Sequence, residues 1–200
     1  MKLKLYLHLR PLKRAWYMKS FFAFIWEIIK IVIIALLIVV PIRYFIFQPF
    51  FVKGQSMEPN FENGDYLIID EISYRFREPL RGEVLVFKYP QNPSQRYIKR
   101  IIGLPGETIT IEDGKVIIFN ENGTQILNET GYLPPFTLTP GDIRVTLTGD
   151  EYFVLGDNRI SSSDSRRWGP LPREDIIGRV LFRAWPFVAL AKFEAPVYDQ

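Results

Sequence analysis

Ser56, two residues after Gly54, and Lys99, inside Tyr97-Ile98-Lys99-Arg100-Ile101-Ile102, are the residues whose types and settings suit covalent chemistry. A glycine just before a serine lets backbone approach closely and frees N–H groups around a nucleophile. An ordinary loop turn carries the same pattern. A serine nucleophile also needs a base. The chain has no cysteine and one histidine, His8. Thiol nucleophiles, disulfides, thiolate zinc sites and multi-histidine zinc sites are thereby excluded, and no cofactor or metal is expected. His8 precedes a long apolar run and Ser56 follows it. If that run crosses a membrane, His8 is stranded on the far side and the base left for Ser56 is a lysine.

Strand alternation would put Lys99 with Tyr97 and Ile101 on one face, and Ile98 with Arg100 on the other. A solvated strand lysine is the commoner situation. In a dry setting, desolvation would instead bring its pKa towards about 7–8, where a neutral amine exists at working pH. The third polar cluster runs from Gly156-Asp157-Asn158-Arg159 through Ser161-Ser162-Ser163-Asp164-Ser165-Arg166 to Trp168-Gly169. Such residues are usual in loops. Two Asp-x-Arg triplets so close together point further, to a loop held by bidentate arginine–carboxylate pairs, with serines free to bond an amine.

The elements that must hold these residues are of two kinds. The first twenty residues contain Lys2, Lys4, Arg10, Lys13, Arg14 and Lys19 and no acid; the other 180 hold 19 basic and 22 acidic side chains. The net +3 therefore reflects the tail, and no nucleic-acid partner is expected. Phe24–Phe47 is long enough to cross ~30 Å of hydrocarbon, with Glu27, Lys30 and Arg43 towards its ends. It leads into bulky residues rather than a small-residue cleavage site, so it reads as an uncleaved signal anchor. The positive-inside rule puts the tail in the cytoplasm and the rest across the membrane. The expected organisation is a basic cytoplasmic tail over 1–23, a transmembrane anchor over 24–47, and an extracytoplasmic domain over 48–200.

Beyond the anchor the texture is β. Strands are expected at Tyr66–Asp70, Glu83–Tyr89, Arg96–Ile102, Thr108–Ile111, Lys115–Phe119, Tyr152–Leu155 and Ile176–Arg183. Asp113-Gly114 suits a type I′ hairpin turn. Residues 120–150, rich in Asn, Gly and Pro, read as a loop-rich insertion with short strands. The fold class is mainly β, a barrel-like all-β domain behind one N-terminal transmembrane helix.

Four segments, in order, resemble the type I signal peptidases, the bacterial leader peptidases with a Ser–Lys dyad. They are Gly54-Gln55-Ser56-Met57-Glu58-Pro59, Gly64-Asp65-Tyr66-Leu67, Arg81-Gly82-Glu83 continuing to Tyr97-Ile98-Lys99-Arg100, and Gly156-Asp157-Asn158-Arg159 with Ser163-Asp164-Ser165-Arg166. The resemblance implies Ser56 as nucleophile and Lys99 as general base. It also implies Ser162 as the serine that orients the lysine, and Asp164 steadying the loop through Arg166. The Ser56 N–H would be an oxyanion donor, with the Gly54 backbone nearby. It further implies a plasma-membrane endopeptidase, expected to be monomeric, that cuts signal peptides with small residues at −1 and −3 and has the lipid bilayer as its other partner.

Two positions depart from the family pattern. Gly54 stands where some members have a serine that supplies the second oxyanion donor, and Ile160 stands where many have a carboxylate. Two other readings remain open from the residues alone. One is an inactive membrane-anchored β module that binds without cutting, with Lys99 exposed and far from Ser56. The other is a self-cleaving Ser–Lys protease of the repressor type, although its usual Ala-Gly and Cys-Gly cleavage dipeptides are absent.

Overall fold

The structure, a computed structural model, describes residues 10–45, 47–196 and 198, with side chains described for residues 20–40 and from 49 onward. His8 and most of the basic stretch before Arg10 lie outside the described residues. The chain divides into two units at Tyr44/Phe45.

In the first unit, helix α1 (Arg10–Phe45) contains a 21-residue segment, Ser20–Val40, long and apolar enough to cross a membrane. At ~1.5 Å per residue such a segment extends about 30 Å, matching the hydrocarbon thickness. Its side chains are exposed on every face, as expected for a helix solvated by lipid rather than by a protein core. Glu27 and Lys30, read from sequence as separate charges near one end, form an ion pair at 2.7 Å, one turn apart. Pairing lowers the cost of carrying both so close to hydrocarbon.

The second unit is built on two antiparallel sheets. The larger holds β1 (Phe47–Phe51), β2 (Tyr66–Asp70), β3 (Val84–Tyr89), β4 (Asn92–Gly103), β9 (Glu151–Leu155), β10 (Leu171–Pro172), β11 (Ile176–Trp185) and β12 (Ala191–Lys192). Its strand order is β1-β2-β11-β3-β4-β9-β10, with β12 pairing β11. The smaller sheet is β7-β6-β5-β8, from β5 (Thr108–Glu112), β6 (Lys115–Asn120), β7 (Gly123–Ile126) and β8 (Ile143–Thr146). The mainly β expectation holds, but the larger sheet is an open path that ends at β1 and β10. It does not close into a barrel.

Alternation in β3 explains the core. Val84 and Val86 pack on one face with Val52, Met57, Phe61, Leu67, Ile69, Ile98 and Val180. Leu85 and Phe87 pack on the other with Tyr74, Ile101, Tyr152, Val154 and Leu171. A strand apolar at every position is stable only where both faces are covered. A third cluster joins Ile102, Phe153 and Leu155 to Ile109, Ile111, Val116 and Ile118 of the smaller sheet. Residues 120–150 thus hold two short strands that complete this sheet, with a long connection between them.

Candidate active site

Ser56 lies on a turn between β1 and β2. Met57 and Phe61 are fully buried in the core beneath it, and the Phe61 N–H bonds the Met57 carbonyl at 2.9 Å. These apolar anchors lock the turn while Ser56 remains half-buried at the surface. Gly54 has φ +91°, a left-handed conformation that side-chain-bearing residues rarely adopt. Its N–H donates to Asn63 Oδ1 at 2.9 Å. That donor is already engaged, so it is not free for an oxyanion. The Ser56 N–H has no acceptor among the described residues.

Lys99 sits on β4, where Leu85 of β3 is its register partner. It is 4% exposed. Its Nζ is hydrogen-bonded to Ser56 Oγ at 2.8 Å and donates to the Ile98 carbonyl at 2.8 Å. The Tyr97 ring centroid is 5.4 Å from Nζ, on the face that alternation assigned to both residues. Burial pushes the Lys99 amine down from 10.5 to about 8, against the opposing pull of Asp164 and Asp157. The exposed lysine distant from Ser56 that a binding module would carry is not found.

This shift makes a stability prediction with a definite sign. The folded pKa lies below the unfolded one, so the buried cation costs stability below pH 8, and that cost disappears as pH rises from 8 to 10.5. The difference amounts to roughly 3 kcal/mol. Lys99→Met should therefore gain more stability over the parent chain at pH 7 than at pH 10.5. Paired thermal unfolding of the full chains in detergent measures it; an equal difference at both pH values would contradict a buried, depressed lysine.

The loop from Gly156 to Gly169 closes over the pair through three arginines. Asp157, 2% exposed, receives Arg100 Nε at 2.8 Å and Arg100 Nη2 at 2.6 Å. Arg159 donates to Glu129 and Thr139 from the long connection of the smaller sheet, and to the Gly156 carbonyl at 3.0 Å. Arg166 grips Asp164 with two bonds of 2.8 Å. Burial pushes the Asp164 carboxyl up, but the Arg166 fork and the Gly156 N–H outweigh it and hold it below its usual range. Asp164 also caps the short helix α2 (Ser165–Trp168) by accepting the Arg166 N–H. The loop is tied to the nucleophile turn as well: the Asn158 N–H bonds the Ser56 carbonyl and Asn158 Nδ2 bonds the Gln55 carbonyl, each at 3.1 Å.

Ser162 is not hydrogen-bonded to Lys99. Its Oγ is enclosed and packed against Gly156, and its hydroxyl is turned to Asp164, where it helps to hold that carboxyl low. A Cβ at Gly156 would fall 2.2 Å from Ser162 Oγ and 2.4 Å from the Ser56 carbonyl oxygen. Only glycine lets the loop come this close. Ile160 points away from all of this, 88% exposed.

A cleft of about 730 Å³ opens beside Ser56. Phe50 and Phe51 line one wall, Gln95 to Lys99 the other, with Ser161 and Ser163 at the rim. The two walls belong to β1, which ends its sheet, and to the part of β4 that precedes its pairing with β9 at Arg100. Both therefore offer unpaired strand edge.

Residues 25–185 match the model of the family signal peptidase, peptidase S26. The chain belongs to this family. Signal peptidase I of Leptolyngbya laminosa is 40% identical over 178 residues, covering 85% of this chain and 84% of its own length. Probable signal peptidase I-2 of Synechocystis sp. is 39% identical over 165 residues, covering 80% and 73%. A crystal structure of a signal peptidase I from Enterococcus faecalis V583 aligns with a TM-score of 0.43 at 32% identity, over 52% of this chain and 97% of that one. The peptidase S26 match starts within α1 and ends at the last residue of β11. It contains Ser56, Lys99 and the Gly156–Gly169 loop, and every strand of the larger sheet except β12.

Sequence reasoning missed Asn60, Glu129 and Tyr132, which hold the loop network together. It also left Arg100 without a partner. One signal was present: an arginine in a largely apolar strand needs a buried carboxylate, but the Asp157-Asn158-Arg159 triplet had suggested a pair within the loop, and Asp157 pairs with Arg100 instead.

Proposed function

We propose that this chain is a membrane-anchored serine endopeptidase that removes N-terminal signal peptides from exported preproteins through a Ser56–Lys99 acyl-enzyme. One observation carries the reading: a buried lysine amine, depressed to about 8, stands 2.8 Å from the hydroxyl of a serine on a rigid turn. A lysine becomes a general base when desolvation leaves a useful neutral fraction near working pH.

In this mechanism the Ser56 hydroxyl donates its proton to neutral Lys99 Nζ as Oγ bonds the scissile carbonyl carbon. The Ser56 N–H, which has no acceptor among the described residues, donates to the developing oxyanion, an interaction of a kind often worth 10²–10³ in rate. Collapse breaks the C–N bond, and the Lys99 ammonium returns the proton to the departing amine. Water then attacks the Ser56 ester while Lys99 accepts the water's proton, and Ser56 leaves with a proton from Lys99. Ser162 supports the lysine in this reading, through a buried hydroxyl that lies beside Gly156 and interacts with Asp164, the carboxylate that acts on Lys99. Asp164 and Arg166 hold the loop that carries it.

Substrate would lie extended in the cleft, its backbone taking up the free edges of β1 and β4. Small residues at −1 and −3 fit a strand that must bring its carbonyl close to Ser56. The anchor keeps the enzyme, as a monomer in the plasma membrane with its N-terminus cytoplasmic, on the surface where signal peptides emerge. The expected result is that Ser56→Ala lowers preprotein cleavage by the full chain in detergent on the order of 10³-fold or more. Product at the parent rate from Ser56→Ala would overturn the reading.

A further inference from the structure

Asn60 lies four residues after Ser56 on the same turn. A primary amide has two N–H donors, and both are used here on different segments. Nδ2 donates to Asp157 Oδ2 at 2.8 Å and to the Tyr132 carbonyl at 2.7 Å. Both neighbours are acceptors, which fixes the nitrogen end of the amide towards them. The Asn60 backbone carbonyl accepts from Arg183 of β11. The Arg100 fork donates to both Asp157 oxygens, Nε to Oδ1 and Nη2 to the same Oδ2 that accepts from Asn60, and Arg100 follows Lys99 directly on β4. Tyr132 closes the arrangement, its ring centroid 4.0 Å from the Arg100 guanidinium.

The contacts form a circuit. It runs from Ser56 along the turn to Asn60, across to Asp157, on to Arg100, back one residue to Lys99, and across 2.8 Å to Ser56 again. The Asn158 bonds to the Ser56 and Gln55 carbonyls tie the same loop to the turn beside this ring, and the Asn60 amide is the side-chain link from the turn to the Asp157 carboxylate itself.

We propose that Asn60 is a positioning residue for the Ser56–Lys99 pair, its amide fastening the nucleophile turn to the carboxylate that also holds the lysine strand. The inference rests on the peptidase reading above. A misplacement of about 1 Å at a reacting pair can cost on the order of 10²-fold in rate. Asn60 should therefore act on kcat rather than on substrate binding.

Two near-isosteric variants separate positioning from general damage. Asn60→Leu keeps the volume and removes both donors at every pH. Asn60→Asp sets a second carboxylate against Asp157, and two carboxylates that close favour sharing a proton. The charged groups facing Asp157 are Arg100 and Lys99 of β4 and Arg159 of its own loop, and Asp164 faces Lys99. As pH falls, the shared proton restores one bond.

The experiment measures kcat and KM for preprotein cleavage by full-length parent, Ser56→Ala, Asn60→Leu and Asn60→Asp from pH 5.5 to 9. Thermal unfolding of each variant is followed alongside. We expect kcat to fall roughly 10- to 100-fold at pH 8 in both Asn60 variants with KM within about threefold. The ratio of Asn60→Asp to parent should climb as pH falls, while the ratio for Asn60→Leu stays level. Unchanged kcat, a loss carried by KM, a level Asn60→Asp ratio, or loss of the folded transition in both variants would overturn the proposal. Activity in Ser56→Ala would instead sink the peptidase reading itself, so the two failures are distinguishable.

Discussion

Lys99→Arg is expected to leave less than about one part in 10³ of the parent cleavage rate at pH 8, and Lys99→Ala no more. Arginine keeps the length and the charge but cannot be deprotonated at any working pH, so it fails as a base. Alanine removes the base altogether. The parent should show the complementary behaviour. With Lys99 depressed to about 8, kcat/KM should rise about tenfold per pH unit below that value and level off above it. A protease relying on an exposed lysine would keep rising towards pH 10. Rates measured across pH 6 to 10 on one preprotein separate the two. A retained rate in Lys99→Arg would exclude lysine as the base, however close its amine lies to Ser56.

The chemistry rests on a dry wall around one amine, and that wall was partly legible in the sequence. Ile98, Ile101 and Ile102 marked a strand and alternation put Lys99 on the Tyr97 face, where the two side chains do meet, but the residues alone left open whether that face is solvated or dry. Seven strands fell within a few residues of their expected bounds, because their apolar runs are set off by Gly, Pro, Asn and Asp.

What escaped was pairing across long separations. β1 was masked because Phe47–Phe51 continues the apolar texture of the anchor, and only its register with Tyr66–Asp70 reveals a strand. β7 and β8 alternate too weakly to stand out in a polar stretch, yet together they finish a sheet. Asp157 and Arg159, two residues apart and suggestive of a local pair, instead reach Arg100 and Glu129, 57 and 30 residues away. Charge type can be read locally. The partner of a buried charge depends on which backbones the fold brings together, and a short-range pattern does not contain that.

Those distant partners carry the second large effect. The Asp157 side chain is fully enclosed, and the Arg100 side chain is 6% exposed. Arg100→Met should destabilise the chain by about 3–5 kcal/mol, because it strands a buried carboxylate with Asn60 as its nearest remaining donor. For a unit of this size that is a fall in Tm on the order of 10 °C. The double variant Arg100→Met/Asp157→Leu removes both charges and should recover part of the loss, since an apolar pair of similar volume avoids the desolvation cost. Recovery should be incomplete. The Gly82 carbonyl loses the Arg100 Nη1 bond of 2.8 Å, and Asn60 loses one acceptor, each at a cost of about 1–3 kcal/mol if left unsatisfied. Denaturant unfolding of the parent, both singles and the double closes the cycle. Additive singles would mean that the pair, despite its geometry, contributes no coupling and that Lys99 is held by packing alone. A strong coupling with cleavage still depressed in the refolded double variant would separate two roles of the same contact: Arg100–Asp157 keeps the fold intact, and its polar bond to the Ser56 turn sets the reacting atoms.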